Sequence, residues 1–421
     1  MKKQLTKNEP QWLLTSRKNA RLEMDKVGAP TTSDEEWRYI NLDPILKGSF
    51  EDPAMEWGGF DIVKPYMEDK NFHTVVMVNG RFIEGQIESK AVHINSLSQL
   101  LVGDYPQFQE HWEKNVTDPH HFHLKNTAQF EDGVGVIVRQ NQTAPLPIRI
   151  LSIQQGKDGK PVVSQPRVMI ILEEGACAKI CKTDISVDRL SSFSNMVTEC
   201  YVGKEADLEV VSIHEEGAKT TQFDTTTVNL EQKSRFVSHT YSESQDLARY
   251  DSHINFRGED AYAELNGLSL LSGRSHVFHH TRVNHLVPNC ESNQLFKHIL
   301  NDHAEAEYNG LVYVEKGAQK TDSKQKNANL IFSDNAKVHS RPQLKIFADD
   351  VKCAHGSTTG QLDEGEVFYL KSRGLTDQAS RALLTYGFAE DVIQRMGISS
   401  IRKTLESGLQ RHLDALMESS E

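Results

Sequence analysis

From about residue 72 to the last fifth of the chain the sequence is a succession of short β-rich runs, HTVVMVNGRFI, GVGVIVRQ, PIRILSI, RVMIIL, FSNMVTECYV and DLEVVSI among them. Nothing resembling a long helix lies between them. β-Branched and aromatic residues in short runs bounded by turn residues read as strands. Roughly 290 residues of such strands exceed what one ordinary sandwich needs, so a solenoid, or two sheets stacked end to end, fits better.

An internal recurrence favours the solenoid. Turn residues are followed by a small residue and then alternating positions in EEGACAKI, KEADLEV, QKSRFVS, EDAYAEL, DHAEAEY and DNAKVHS. Taking Ala176, Ala206, Ser234, Ala261, Ala304 and Ala336 as marks, the steps are 30, 28, 27, 43 and 32 residues. Periods of roughly 20–50 residues indicate stacked repeats, and the long step suggests an inserted or doubled turn.

Stacked strands leave open edges at both ends of the array, which helical ends would cover. At the N-terminus, Trp12, Leu13, Ala20, Met24 and Val27 form a loose helical stripe, stopped by Gly28 and Pro30, and a short amphipathic piece follows over residues 31–46. Near the C-terminus, Ala379, Ala382, Leu383 and Tyr386 recur at helical spacing in a helix started by Thr376-Asp377 and ended near Gly387. Ile401, Leu405, Leu409, Leu413 and Leu416 form a second stripe beginning at Ser399 or Ser400. These faces bury against the solenoid or against a partner. The expected division is a helical region over 1–70, a β core over 71–358 and a helical region over 359–421.

Composition narrows the function. In 421 residues, 47 Lys+Arg stand against 59 Asp+Glu, a formal charge of −12. A nucleic-acid or anionic-membrane binder needs a basic stripe to displace counterions, so those partners are not expected. The five cysteines make no disulfide framework, and the longest unbroken apolar run is Val168 to Leu172, so neither a secretory signal nor a membrane span is expected. A soluble protein of the cytoplasm or an organelle stroma is the reading. Gly217-Ala218-Lys219-Thr220 has the tail of a phosphate loop without its first glycine, so no nucleotide is expected on this chain.

Eighteen histidines invite a metal reading. Pro119-His120-His121-Phe122-His123 has no second ligand set nearby and reads as a solvated loop. In SHVFHHTRVNH the strand period sends His279 and His280 to opposite faces, which spoils a ligand set. Cys177 and Cys181 share one strand face as small core residues. The segment ADDVKCAHGSTTG differs. If it is extended, Asp349, Val351, Cys353 and His355 share one face, placing a thiol beside an imidazole near the end of the array. Thiolate and imidazole suit iron, zinc or an iron–sulfur cluster, but two groups do not complete the usual four ligands. Any metal held here draws further ligands from elsewhere. A buried cysteine and a hydrogen-bonded histidine before a glycine turn is the competing reading.

These residues meet a family. The stretch from KHILNDHAEAEYNGLVYVEKG through DDVKCAHGSTTGQLDEGEVFYLKSRGL, residues 297–375, resembles the signature region of SufD, the D component of the SUF iron–sulfur cluster assembly system. EEWRYINL at 35–42 and HHTRVNHLVPNCESNQLFKHIL at 279–300 resemble its other motifs, and the KCAHG run favours the D type over the sister subunit SufB. The resemblance implies a right-handed parallel β-helix with α-helical N- and C-terminal regions. It implies a non-catalytic scaffold subunit in a complex with SufB and the ATPase SufC, with a homodimer in isolation left open. It also implies a transient iron–sulfur cluster at the interface with SufB, faced by His355 with Cys353 beside it. The SufC-docking region would match the helices from about Leu375 to Ile393, with Leu375, Ala379, Leu383, Tyr386 and Phe388 as contacts. Two other readings stand beside it: a β-helix enzyme acting on polysaccharides with Asp349-Asp350 as its acids, and a homodimeric iron-delivery protein using its many histidines.

Overall fold

The structure, a computed structural model, describes residues 9–53, 60–188, 190–214, 221–243 and 246–418. The incomplete phosphate-loop tail at 217–220 lies outside them. The strand-rich stretch winds into a parallel β-solenoid of about seven turns, with 44% of the chain in strands. Its two walls are a ten-stranded and an eleven-stranded sheet, called here the first and second sheets. From Arg167 onward the ladder strands alternate between the walls, and each but the last of either wall pairs parallel and in register with the strand one coil below and one coil above. Antiparallel pairing is confined to the opposite end, as where Val92–Ser96 meets Gly133–Val138.

The coil repeat follows from a turn. Before six strands of the first sheet, from Cys177–Ser186 to Asp322–Ile331, the chain passes through a left-handed residue, namely Gly175, Glu205, Lys233, Asp260, Asn289 and Lys320, with φ between 56° and 65°. Each is followed by a buried small or compact residue: Ala176, Ala206, Ser234, Ala261, Cys290 and Thr321. A bulky side chain there would collide with the coil below, which is why the position is marked in the sequence. The steps are 30, 28, 27, 29 and 31. The sequence reading had followed this series only as far as Ala261. Ala304 and Ala336 precede Glu305–Val314 and Lys337–Ile346 of the other wall, so the step of 43 is a jump between two series rather than an inserted turn.

Register stacks inward side chains into columns. Cys200, Val228, Ile254, Val283 and Val312 lie one above another on the second sheet, and Ala178, Leu208, Phe236 and Ala263 on the first. All belong to one continuous core along the lumen.

The C-terminal helices do not close the end of this stack. Glu364–Ser372, Asp377–Ile393 and Ser399–Glu418 turn back along the outer face of the first sheet. There Ile401, Leu405, Leu409 and Leu413 pack with Val392, Ile393 and Met396 on Val211, Ile213, Leu268 and Leu270. The side chain of Leu416 lies outside the described set. The expectation that helical ends cover both edges therefore fails at this end, because the outer face of the first sheet is itself apolar and takes the stripe. Gly387 does not stop its helix, which continues to Ile393. Burial of Ala389, Val392 and Ile393 beyond it outweighs the roughly 1 kcal/mol a helical glycine costs. The loop expected at 119–123 is instead the start of the helix His121–Gln129, in which Phe122 is buried in an aromatic cluster and the His120 ring accepts from the His123 N–H.

The N-terminal motif 35–42 clasps the second sheet from outside. Trp37 lies under the Arg249 guanidinium at 3.7 Å, Arg249 donates to the Glu36 carbonyl at 2.6 Å, and Tyr39 stacks on His339 at 3.6 Å.

Replacing Ile254 by Ala leaves a hole in the middle of a column with no mobile neighbour to fill it, and should cost about 2–5 kcal/mol. Urea unfolding monitored by circular dichroism checks this, with a lowered midpoint and an unchanged slope expected.

Candidate functional site

The site is built at the uncovered end. The last strand of the first sheet is Lys352–Gly360, paired on one side only, with Asp322–Ile331. The last strand of the second sheet is Lys337–Ile346, paired only with Glu305–Val314. Both carry a free backbone edge, and most of Lys352–Gly360 is exposed. Ile346 and Phe347, beside that edge, are 38% and 59% exposed.

Cys353 packs on the lumen core, so it points inward. Strand period then puts His355 and Ser357 on the same face, and the Ser357 hydroxyl bonds Ser340 across the mouth at 2.8 Å. The strand thus puts Cys353 and His355 on one face at the mouth of the lumen, while Asp349 and Val351, expected on that face as well, precede the strand. His355 is exposed, while Cys353 is half-buried. Burial and the nearby Asp322 push the Cys353 thiol up, and a bond from the Ser323 backbone partly offsets this. Asp349 and Asp350 sit in the bend just before the strand, and the Asp350 N–H donates to the Gln319 side chain at 2.9 Å. Among the described residues no set of three or more His, Cys, Asp or Glu side chains converges on a point where a metal ion would fit.

The other thiols are placed differently. Cys200 and Cys290 are pushed by burial to about 12 and about 11. Cys181 and Cys177 do share a face, but only Cys181 is core, lying under the C-terminal helices, while Cys177 is half-exposed.

Most histidines are structural. His279 and His280 do point to opposite faces: His279 lies in the lumen, bonded to the Ser269 hydroxyl at 3.1 Å, and His280 lies outside, facing Glu307 and Asp251. Inside, a polar file runs up the coils from Cys177–Ser186 to the last strand. Lys182 pairs with Asp224 at 2.6 Å and Asp184 with His214 at 3.2 Å, and His214 stacks on Tyr250. His279 stacks on His298, His298 bonds Asn329 at 2.8 Å, and Asn329 reaches Thr359 of the last strand at 3.0 Å. Burial holds three of the buried rings neutral: it pushes His298 down to about 4 and His285 to about 3, and keeps His279 well below the ordinary histidine range.

On the helices, the expected docking residues divide. Tyr386 and Phe388 pack against the solenoid-side core, and Lys297 caps Phe388 by sitting over its ring and donating to its carbonyl at 2.8 Å. Leu375 and Leu383 are exposed, and Ala379 is half-buried. Phe368 and Tyr369 of Glu364–Ser372, absent from the sequence reading, are the largest exposed apolar side chains on these helices, at 72% and 56%. The signal was present as the Val-Phe-Tyr run, of which one helix face buries only Val367.

The solenoid thus ends in an unpaired coil with a thiol and an imidazole at its mouth and an apolar helical patch outside. Residues 153–388 match the family model for the SUF system FeS cluster assembly SufBD core domain, and residues 1–150 match the SufBD N-terminal region. The chain belongs to the SufBD family of iron–sulfur cluster assembly proteins. It is 27% identical to an iron–sulfur cluster assembly SufBD family protein of Synechocystis over 93% of this chain and 89% of the relative. It is 25% identical to the iron–sulfur cluster assembly protein SufD of Escherichia coli over 92% and 90%, and 23% identical to that of Bacillus subtilis over 70% and 67%. No helix among the described residues is long and apolar enough to cross a membrane.

The buried neutral rings make stability depend on acid. Their folded pKa values lie below the ordinary histidine value near 6.5, so the unfolded chain binds more protons as pH falls. Stability is therefore full above about 6.5 and drains downward by about 1.4 kcal/mol per pH unit for each such ring until pH nears 4. Melting curves should show the midpoint dropping between pH 7 and pH 5, before the carboxylates titrate, with a shallower drop in His298→Asn.

Proposed function

We propose that this chain is a non-catalytic scaffold subunit on which an iron–sulfur cluster is assembled as cargo, shared with a SufB-type paralogue that docks on the open end of the solenoid. The observation that carries the reading is the bare last coil. Two strand edges of nine and ten residues lie unpaired with Cys353 and His355 at the mouth between them, while the chain's own helices lie elsewhere. Parallel strand edges left free are templates for another chain's strands. Pro342, which has no N–H to donate, and Lys337, Lys345 and Lys352 limit that pairing to a matched partner.

His355 offers a ring nitrogen and Cys353 a thiol that would lose its proton on meeting a metal, whose charge overrides the upward push of burial. Two ligands leave the cluster incompletely held, so the remainder come from the partner, and a loosely held cluster is one that is passed on. Outside, Phe368, Tyr369, Leu375 and Leu383 form the apolar patch for the SufC-type ATPase. Nucleotide turnover there would reach the mouth through the helix Asp377–Ile393, which is tied to the first sheet by Lys297–Asp391 and Arg395–Glu264. In this reading 71–358 is the assembly core, 1–70 and 359–421 are its flanking helical regions, and the complex works in the cytoplasm.

His355→Ala in the reconstituted complex should lower the rate of cluster formation at least about tenfold, since even outer-shell partners of metal ligands are worth that much. Cluster formation at the normal rate with the complex intact would remove His355 from the site. Phe368→Ser with Leu383→Ser should abolish co-purification of the ATPase while leaving the melting temperature of the isolated chain within about a degree, because both side chains are solvent-exposed. Retention of the ATPase would move its docking site elsewhere.

A further inference from the structure

Under the mouth Gln325 is 3% exposed, yet among the described residues neither its Oε1 nor its Nε2 has a hydrogen-bond partner. It stands in one inward column between Gln294 on the coil below and His355 on the last strand. Gln294 spends its carbonyl on the Thr281 hydroxyl at 2.6 Å and the Tyr308 hydroxyl at 3.1 Å. On the opposite wall a Cβ at Gly310 would meet the Tyr308 hydroxyl first and the Gln325 Nε2 at 2.8 Å. The glycine leaves room for both side chains, and the carboxamide is the one left unpaired. Burying both ends of an amide unpaired works against folding, and such a group calls for a reason other than stability.

The position supplies one. A histidine that binds a metal through one ring nitrogen needs an acceptor for the N–H on the other, which fixes the tautomer and the ring's direction. Gln325 lies one strand below His355, about 4.8 Å along the ladder, and its amide oxygen is the acceptor left open in that column. We infer that Gln325 is the positioning residue of His355: when the ring takes a metal on its outward nitrogen, the inward N–H turns down onto the Gln325 Oε1. The inference rests on the reading of His355 as a cluster-side ligand. The amide touches no metal itself.

The test uses the isolated full-length chain with cobalt(II) as the probe, at one fixed pH. The thiolate-to-cobalt absorption reports Cys353 coordination, and a Cys177→Ser background removes the other half-exposed thiol. Gln325→Leu should weaken cobalt binding about tenfold, and Gln325→Glu, which keeps an acceptor, should bind within about twofold of the unsubstituted background. The same Gln325→Leu chain should melt a few degrees higher, since an orphaned amide is gone. A residue with only a structural role would give a lower melting temperature and no rescue by Glu. Unchanged cobalt affinity in a folded Gln325→Leu chain, or a lowered melting temperature, would overturn the inference. The failure of the functional reading is a separate result: cluster assembly unaffected by His355→Ala sinks that reading whatever the cobalt titration gives.

Discussion

Register is the constraint on which the rest of this molecule depends. In a parallel in-register ladder every backbone N–H and C=O of one coil is answered by the next, and each inward side chain lies directly over its counterpart below. The fold is thus a set of columns, and the chemistry of a position is set by its column. The left-handed turn residues from Gly175 to Lys320, each followed by a buried compact residue, keep the coil length nearly constant and the columns aligned. A slip of one residue would turn Cys353 and His355 outward and send Lys352 and Ala354 into the lumen.

The columns also explain how a site comes to stand at one end. Low in the stack the columns that lead to Cys353 and His355 carry Ala178, Leu208, Ile180 and Val210, while the columns beside them are already polar at Ser152, Lys182 and Asp184. Toward the last coils the same columns carry Ser292 beneath Ser323 beneath Cys353 and Gln294 beneath Gln325 beneath His355, and a neighbouring column carries His298 beneath Asn329 beneath Thr359. A polar lumen gives up apolar burial, which a fold of seven coils can spare. The return is a mouth lined with donors and acceptors and left without a cap. The helices that might have capped it have an apolar stripe matched to the outer face of the first sheet, so they brace the wall and leave the end uncovered.

Much of this was legible in the residues. The solenoid showed in the uninterrupted short strands and the spaced small residues, and the thiol–imidazole pair in the even spacing of Cys353 and His355. The opposed faces of His279 and His280 needed only the strand period. The coil series was lost after Ala261 because Cys290 and Thr321 do the work of alanine at those turns, and composition hides what the left-handed residue before them reveals. The helix at His121–Gln129 was missed because its stability comes from Phe122 among Trp37, Phe193 and Phe223, contacts between residues far apart in the chain. Leu383 and Tyr386 share a helical stripe in sequence, yet only Tyr386 meets the solenoid-side core, since the helix is rotated by what its neighbours bury.

Sequence by itself determined the period, the strand faces and the identity of the two candidate ligands, because each follows from local geometry repeated along the chain. Tertiary structure alone decided which end of the stack stays open, where the C-terminal helices lie, and that Gln325 sits unpaired beneath His355. Those are outcomes of competition between distant surfaces for the same apolar face or the same hydrogen bond, and no local pattern records which one wins.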